Sequence, residues 1–136
     1  MDETKLNGSC LCGRVKYTIS TELNNFYFCH CEQCRKLTGS SFASNILAKP
    51  VEIKWISGNE NIKRFDYPGG RSFTNVFCNE CGSRLPFLNE SGKTLFIPAG
   101  SLDCDPNIRP DKNIFWADKS PWYEDGINAS RCNGFP

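Results

Sequence analysis

The pattern of hydrophobic and polar residues along the chain has the two-residue period of β-strands. In GRVKYTIS (13–20), alternate positions are hydrophobic, namely Val15, Tyr17 and Ile19. The segment VEIKW (51–55) alternates in the same way. Such alternation is typical of a strand with one face buried against a core. The pattern therefore predicts a strand at both positions.

Further along the chain, turn residues separate segments of similar character. NIKRFDY (61–67) and RSFTNVFC (71–78) are joined by Pro-Gly-Gly, which predicts a β-hairpin. KTLFIPAG (93–100) and NIFWA (113–117) are two more segments that we expect to form strands.

One short stretch has helical character instead. CEQCRKLT (31–38) contains no helix breaker and is followed by Gly39, a residue favoured just after a helix C-terminus. We find no linker, internal repeat or change in composition along the chain. The sequence thus predicts one mainly β domain over residues 1–136, small, with several short antiparallel strands and one short helix.

The charge is almost balanced, which narrows the choice of partner. Sixteen basic and 15 acidic residues give a formal net charge of +1. Binding to a nucleic-acid backbone needs a concentrated basic face, so we expect no nucleic-acid partner. No segment has the apolar length of a membrane span or the core of a signal peptide. We therefore expect no membrane partner and a cytoplasmic location.

Nine cysteines in 136 residues are the chain's most unusual feature. An odd number fits a complete set of disulfides poorly, and the cytoplasm keeps thiols reduced. Seven of the nine fall into three groups, and two stand alone. The groups are Cys10 and Cys12; Cys29, Cys31 and Cys34; Cys78 and Cys81; the lone residues are Cys104 and Cys132. Clusters of this kind in a reducing compartment more often bind metal than form disulfides.

The spacing within the groups suits tetrahedral zinc. Zinc holds thiolate sulfurs at ~2.3 Å, which places the sulfurs about 3.8 Å from one another. Cysteines two or three positions apart reach that separation within a single turn. Gly82, after the second cysteine of CNEC, can adopt a positive φ and turn backbone N–H groups towards the thiolates.

Counting then suggests how the groups combine. The two pairs together make a four-thiolate site, which would be closed and structural. The triplet is left with three ligands, the pattern of a catalytic zinc with an exchangeable fourth position. Spacing alone also allows the triplet to recruit Cys104, Cys132 or His30. His30 is the poorer choice, since both of its neighbours are ligands and its side chain should point away from them.

The order of motifs resembles a known family. GSCLCGRVKY, CHCEQCRKLTGS, FCNECGSRLPF, AGSLD and the Trp-rich IFWADKSPWY follow one another as in the glutathione-dependent formaldehyde-activating enzymes, a family that includes centromere protein V. The similarity runs from about Leu6 to Trp122, and all seven clustered cysteines match.

The resemblance implies a fold and two zinc ions per chain. The implied fold is a zinc-stapled β domain similar to methionine sulfoxide reductase B. The resemblance assigns a structural zinc to Cys10, Cys12, Cys78 and Cys81, and a catalytic zinc to Cys29, Cys31 and Cys34.

The resemblance also implies a reaction, carbon–sulfur lyase chemistry in which glutathione adds to formaldehyde to give S-(hydroxymethyl)glutathione. The expected partners are therefore a small thiol and an aldehyde. Arg35 and Lys36, next to the triplet, are candidates to bind the glutathione carboxylates, although a solvated helix face explains them as well.

Three other functions remain compatible with the sequence. The protein could carry glutathione without catalysis, or serve as a zinc-stapled interaction module in which the triplet gains a fourth protein ligand such as Cys104. It could also be a thiol redox enzyme, which needs a reactive cysteine outside the metal sites. Only Cys104 and Cys132 are available, and the aspartates beside Cys104 oppose thiolate formation.

Overall fold

The computed structural model describes residues 2–136 and shows a mainly β fold with cysteine clusters at the ends of its sheets. Its strands are Thr4–Ser9 (β1), Lys16–Thr21 (β2), Leu23–Cys29 (β3), Ala43–Ala48 (β4), Lys54–Ser57 (β5), Ile62–Asp66 (β6), Thr74–Cys78 (β7), Arg84–Leu85 (β8), Phe87–Leu88 (β9), Leu95–Pro98 (β10) and Lys112–Ile114 (β11). The α-helices are Glu32–Thr38 (α1) and Tyr123–Ile127 (α2).

The strands form three sheets. Two have three strands each, in the orders β1-β2-β5 and β6-β7-β8, and the third has five, in the order β11-β3-β4-β10-β9. Helix α1 connects β3 to β4, which pair antiparallel with Cys29 opposite Ala43. The residues that follow Cys29 therefore lie at one end of the five-stranded sheet.

Most of the predicted elements are present. The first alternating segment is β2, and Val15, Tyr17 and Ile19 are all at most 1% exposed. The two segments around Pro-Gly-Gly form the hairpin β6–β7. The segments at 93–100 and 113–117 contain β10 and the end of β11. Helix α1 ends as predicted, with Gly39 in the left-handed region at φ 65°.

Other parts of the fold differ from the pattern. In VEIKW only Lys54 and Trp55 belong to a strand, because β5 and its hydrogen bonds to β2 begin at Lys54. Val51 and Ile53 precede the strand and pack against the core. One strand pair, β11–β3, is parallel. A second helix, α2, has five residues and no buried side chain, so it leaves no periodic signal in the sequence.

The main core lies between the sheets and includes part of the cysteine set. Its buried members include Leu6, Ile46 and Leu85, each at most 1% exposed, together with Cys10 and Cys78. A smaller cluster groups Cys29, Cys31 and Cys34 with Ala43. Each set of cysteines therefore has at least two members in the packed interior. None of the helices in residues 2–136 is long and apolar enough to cross a membrane.

Candidate metal centres

Four cysteines from two turns meet at one end of the molecule. Cys10 and Cys12 lie between β1 and β2, Cys78 is the last residue of β7, and Cys81 lies between β7 and β8. The four sulfur atoms are all within 4.8 Å of one another. The Cys10–Cys12 and Cys12–Cys78 Sγ–Sγ distances are 3.5 and 3.9 Å, and no disulfide joins them. We call this set the four-cysteine cluster.

Local hydrogen bonds shape this cluster. Gly82 has φ 77°, and its N–H donates to the carbonyl of Cys78 at 2.8 Å, which closes the CNEC turn. The Val15 N–H donates to Cys10 Sγ at 3.2 Å. Ser83 Oγ joins the two turns, since it accepts from the Leu11 N–H at 2.9 Å and lies 3.2 Å from Cys81 Sγ. The Ser83 hydroxyl lowers the pKa of Cys81 to about 5, which favours the thiolate that metal binding requires.

The second set, the three-cysteine cluster, is built around the start of helix α1. Cys29 ends β3, Cys31 is the N-cap residue, and Cys34 lies in the first turn. Cys31 Sγ accepts a hydrogen bond from the Cys34 N–H at 3.3 Å, so a sulfur takes the place of the usual capping oxygen. The three residues are 3–5% exposed, and their sulfurs lie within 4.8 Å of one another.

The pKa values of Cys29 and Cys34 are shifted in opposite directions within the three-cysteine cluster. A hydrogen bond from Cys34, helped by the nearby charge of Arg71, lowers the pKa of Cys29 to about 6 although burial opposes it. The pKa of Cys34 is raised, because its thiol shares a proton with Cys29 in a buried site. A metal ion would displace the remaining protons, as it does when cysteine thiolates bind zinc.

Both clusters fit zinc by donor type and spacing. In the four-cysteine cluster, Sγ–Sγ separations of 3.5 and 3.9 Å bracket the ~3.8 Å of tetrahedral zinc thiolates, and the sulfurs of the three-cysteine cluster lie within 4.8 Å of one another. Within residues 2–136, no fourth Cys, His, Asp or Glu joins the three-cysteine cluster at the same spacing. The two sets therefore have the donor numbers of a closed site and an open site, respectively.

His30 does not point at either cluster. It is fully buried, and its Nε2 lies 2.9 Å from Asn113 Oδ1 on β11. Phe42, Trp116 and Tyr123 surround the ring at centroid distances of 5.6, 5.1 and 4.6 Å. This environment matches the expected hydrogen-bonded histidine and explains why it is no metal ligand.

A pocket opens beside the three-cysteine cluster. Its volume is about 280 Å³, and Cys29 and Cys34 form part of its wall. We call it the central pocket. Most of its surface is apolar, with Phe73 and Phe96 among the contributors, and none of its lining residues is an aspartate or glutamate.

Two arginines line the central pocket. Arg84, at the start of β8, is half-buried and donates through Nε to Asn75 Oδ1 at 2.8 Å. Burial lowers the pKa of Arg84, while the nearby Cys34 and Cys29 raise it. Arg71 donates through Nη2 to Cys31 Sγ at 3.0 Å and to Gln33 Oε1, and it lies 4.2 Å from the centroid of the Phe115 ring.

Comparison with known proteins identifies the family. The profile of the family described as glutathione-dependent formaldehyde-activating enzyme matches residues 5–118. The chain belongs to this family. In this member of the formaldehyde-activating family, the matched region contains both cysteine clusters and every lining residue of the central pocket.

Two relatives support the assignment at different levels. A Schizosaccharomyces pombe protein described as an uncharacterised lyase is 32% identical over 119 residues, which cover 86% of this chain and 82% of the yeast protein. A solved structure of a Rhodobacter sphaeroides protein is similar with a TM-score of 0.58 and 22% identity. It covers 79% of this chain and 99% of its own, and it shows the fold alone. Family and yeast relative together indicate a lyase.

The remaining candidates from the sequence lie away from the pocket. Arg35 and Lys36 are on α1 but are not among the residues that line the central pocket, and their role in binding a carboxylate stays a prediction. Both occupy the last turn of the helix, where positive charge favours the helix dipole. Cys104 and Cys132 are exposed and belong to neither cluster.

Sequence patterns did not reveal Arg71 and Arg84 as pocket residues. Both come from strands or turns far along the chain from the triplet, and only the folded sheets bring them beside it. One signal was present for Arg84, a charged residue that opens the apolar run Leu85-Pro86-Phe87. Charged side chains are rarely buried unless they have a partner or a task.

Proposed function

We propose that this protein is a zinc-dependent carbon–sulfur lyase that joins a thiol such as glutathione to formaldehyde or a related aldehyde, giving S-(hydroxymethyl)glutathione in the first case. Cys29, Cys31 and Cys34 would hold the catalytic zinc, and Cys10, Cys12, Cys78 and Cys81 the structural one. The observation that carries the proposal is the position of a three-thiol cluster in the wall of a pocket. Family membership and the lyase description of the yeast relative support it.

The three-cysteine cluster has the donors and the access that this chemistry requires. Cys29, Cys31 and Cys34 would hold a zinc ion with one open position, and zinc bound there would lower the pKa of a substrate thiol. The apolar wall of the central pocket excludes water from the reacting sulfur and aldehyde carbon. Arg71, through its hydrogen bond to Cys31 Sγ, partly offsets the negative charge of three buried thiolates.

Two polar side chains are placed to act on the aldehyde oxygen. Tyr27 and Asn45 lie directly opposite each other on β3 and β4, and both line the central pocket. Neither side chain hydrogen-bonds to another residue within 2–136. In the reaction, the sulfur forms a bond to the aldehyde carbon, and the carbonyl π pair moves to oxygen. Asn45 would donate a hydrogen bond to that oxygen, and Tyr27 Oη would give it a proton. The proton that the substrate thiol loses would then return to Tyr27 through solvent.

The proposed chemistry needs a reducing compartment. All nine cysteines are free thiols within the described part of the chain, and oxidation would remove the ligands of both clusters. A cytoplasmic location satisfies this requirement.

Exchange spectroscopy tests the proposal. Formaldehyde and thiols combine without a catalyst, so the useful quantity is the rate of exchange between free and hydroxymethylated glutathione, followed by NMR with labelled formaldehyde. We expect zinc-loaded protein to accelerate this exchange. The Cys34→Ser variant should lose the acceleration, because it removes one of the three ligands, whereas Cys132→Ser should retain it. An exchange rate that is the same with and without wild-type protein would contradict the proposed activity.

A further inference from the structure

Arg84 is a cation without a carboxylate partner, although the thiols Cys29 and Cys34 lie near it. Within residues 2–136, the ion pairs join Arg14 to Glu80, Arg64 to Asp66, Arg109 to Asp105 and Lys119 to Glu124. Arg84 takes part in none of these ion pairs, although it is more buried than the three arginines that do. Buried charges are normally paired, since removing a charge from water costs free energy that only a counter-charge or strong hydrogen bonds restore.

One hydrogen bond holds the Arg84 guanidinium group and leaves its terminal nitrogens available to a ligand. Its Nε donates to Asn75 Oδ1, and Asn75 is itself buried on β7. This bond fixes the plane of the group and leaves the two terminal nitrogens without a hydrogen-bond acceptor in the described part of the chain. Arg84 is one of the residues that line the central pocket, together with Cys29 and Cys34.

Hydrogen bonds also hold the backbone beside Arg84. Its neighbour Ser83 is tied to both turns of the four-cysteine cluster, and the Cys78 N–H donates to the Ser83 carbonyl at 2.9 Å. Arg84 itself belongs to β8, which pairs with β7 through Phe77. A guanidinium presented from such a base loses little conformational freedom when it binds a ligand.

Arg71, the other arginine of the pocket, is exposed and already makes several contacts with the protein through Nε, Nη2 and its guanidinium face. It bonds to Cys31 Sγ and Gln33 Oε1 and stacks on Phe115. Arg84 is therefore the pocket arginine whose two terminal nitrogens both lack a protein acceptor in the described part of the chain. No carboxylate of the protein lines the pocket to compete for them.

We infer that the central pocket selects thiols that carry a carboxylate, and that the Arg84 guanidinium binds that carboxylate in a two-point contact. This inference rests on the proposed function, because it places the thiol at the three-cysteine cluster and the carboxylate at Arg84. Arginine suits the role, since its planar fork matches both oxygens of a carboxylate. The volume of about 280 Å³ is just below the range of typical ligand sites, about 300–1,000 Å³. It suits a compact mercaptocarboxylate, or the carboxylate-bearing end of a longer thiol.

Calorimetric titration of the zinc-loaded protein with two matched thiols tests the inference. 3-Mercaptopropionate and 3-mercapto-1-propanol have the same carbon chain and differ in the carboxylate. We expect the acid to bind wild-type protein about 10-fold or more tighter than the alcohol, the usual scale for hydrogen bonds to a charged group. Arg84→Met should abolish this difference while leaving the affinity for the alcohol within about two-fold. Arg84→Lys, which keeps the charge but not the fork, should retain part of it.

The control variant is Arg109→Met, which removes an exposed arginine that is paired with Asp105 outside the pocket. It should bind both thiols as the wild type does. Equal affinity of wild-type protein for acid and alcohol, or a preference that survives in Arg84→Met, would overturn the role of Arg84 while leaving thiol binding intact. Failure of both thiols to bind wild-type protein would instead overturn the proposed function. Should Arg84→Met lose zinc, the wild-type comparison and Arg84→Lys still decide the question.

Discussion

At the scale of single residues, the contact between Gly8 and Tyr17 determines how the first two strands pair. The two residues lie opposite each other in the β1–β2 register, and the Tyr17 ring occupies the space above Gly8. The Tyr17 hydroxyl lies 2.6 Å from Ser101 Oγ, and the ring packs edge-on against Trp55. Burial raises the pKa of Tyr17 to about 12, in keeping with a phenol held in the core. The hairpin that carries Cys10 and Cys12 is therefore fixed by this contact.

Replacing Gly8 by Ala should destabilise the protein. A Cβ at this position would overlap the Tyr17 ring, which cannot move away without leaving the core. We expect a loss of about 1–3 kcal/mol in the free energy of unfolding, the usual cost of overpacking, measured by denaturant titration. Gly100→Ala is the matched control, since nothing lies within 4 Å of the added atom. A stability equal to that of the control would contradict this account of the β1–β2 contact.

The cysteines and the arginines differ in how far the sequence alone could predict them. Cysteine spacing reports on metal binding because ligands that share one turn must be close in the chain, so all seven clustered cysteines could be found by inspection. Arg84 has no such local partner. Its neighbours Asn75, Cys29 and Cys34 come from three other segments, and its environment exists only in the folded protein.

At the scale of secondary-structure elements, the four-cysteine cluster joins two sheets that share no strand. The β1–β2 turn belongs to one three-stranded sheet and the β7–β8 turn to the other. A metal ion at this cluster would link them across the 66 positions between Cys12 and Cys78. The three-cysteine cluster is different, since β3 and α1 are neighbours in the chain and need no such link.

Loss of the two clusters should therefore have unequal effects on stability. We expect Cys78→Ser to lower the melting temperature strongly, because a structural zinc site contributes several kcal/mol or more to folding. Cys31→Ser should lower it less, and Cys132→Ser should leave it unchanged. Thermal unfolding of zinc-loaded variants, with zinc content measured alongside, checks this order. A larger loss for Cys31→Ser than for Cys78→Ser would contradict the structural role of the four-cysteine cluster.

Strands with one clearly polar face were the elements that the pattern predicted well. β2 alternates because its outer face meets solvent, and the β6–β7 hairpin has a distinctive turn. β3, in contrast, has apolar and polar side chains on both faces, because α1 and β11 pack near its end and β4 lies alongside. β8 and β9 have two residues each, too few for any period to be detected.

At the scale of the whole molecule, the central pocket depends on both cysteine clusters. Its wall combines Cys29 and Cys34 with Arg84, which follows directly from the turn of the four-cysteine cluster. The four-cysteine cluster thus lies next to the residue that we propose binds the substrate carboxylate, and the three-cysteine cluster would hold the thiol in the proposed reaction.

Cadmium NMR of the cadmium-loaded protein tests the central claim most directly, because soft thiolate ligands bind this ion and its chemical shift reports the number of bound sulfurs. The account predicts two resonances per chain, one typical of four thiolates and one of three. Addition of glutathione should move the second resonance towards the first and leave the first in place. A single resonance, or two that both stay fixed at saturating glutathione, would contradict an open three-cysteine site that receives the substrate thiol.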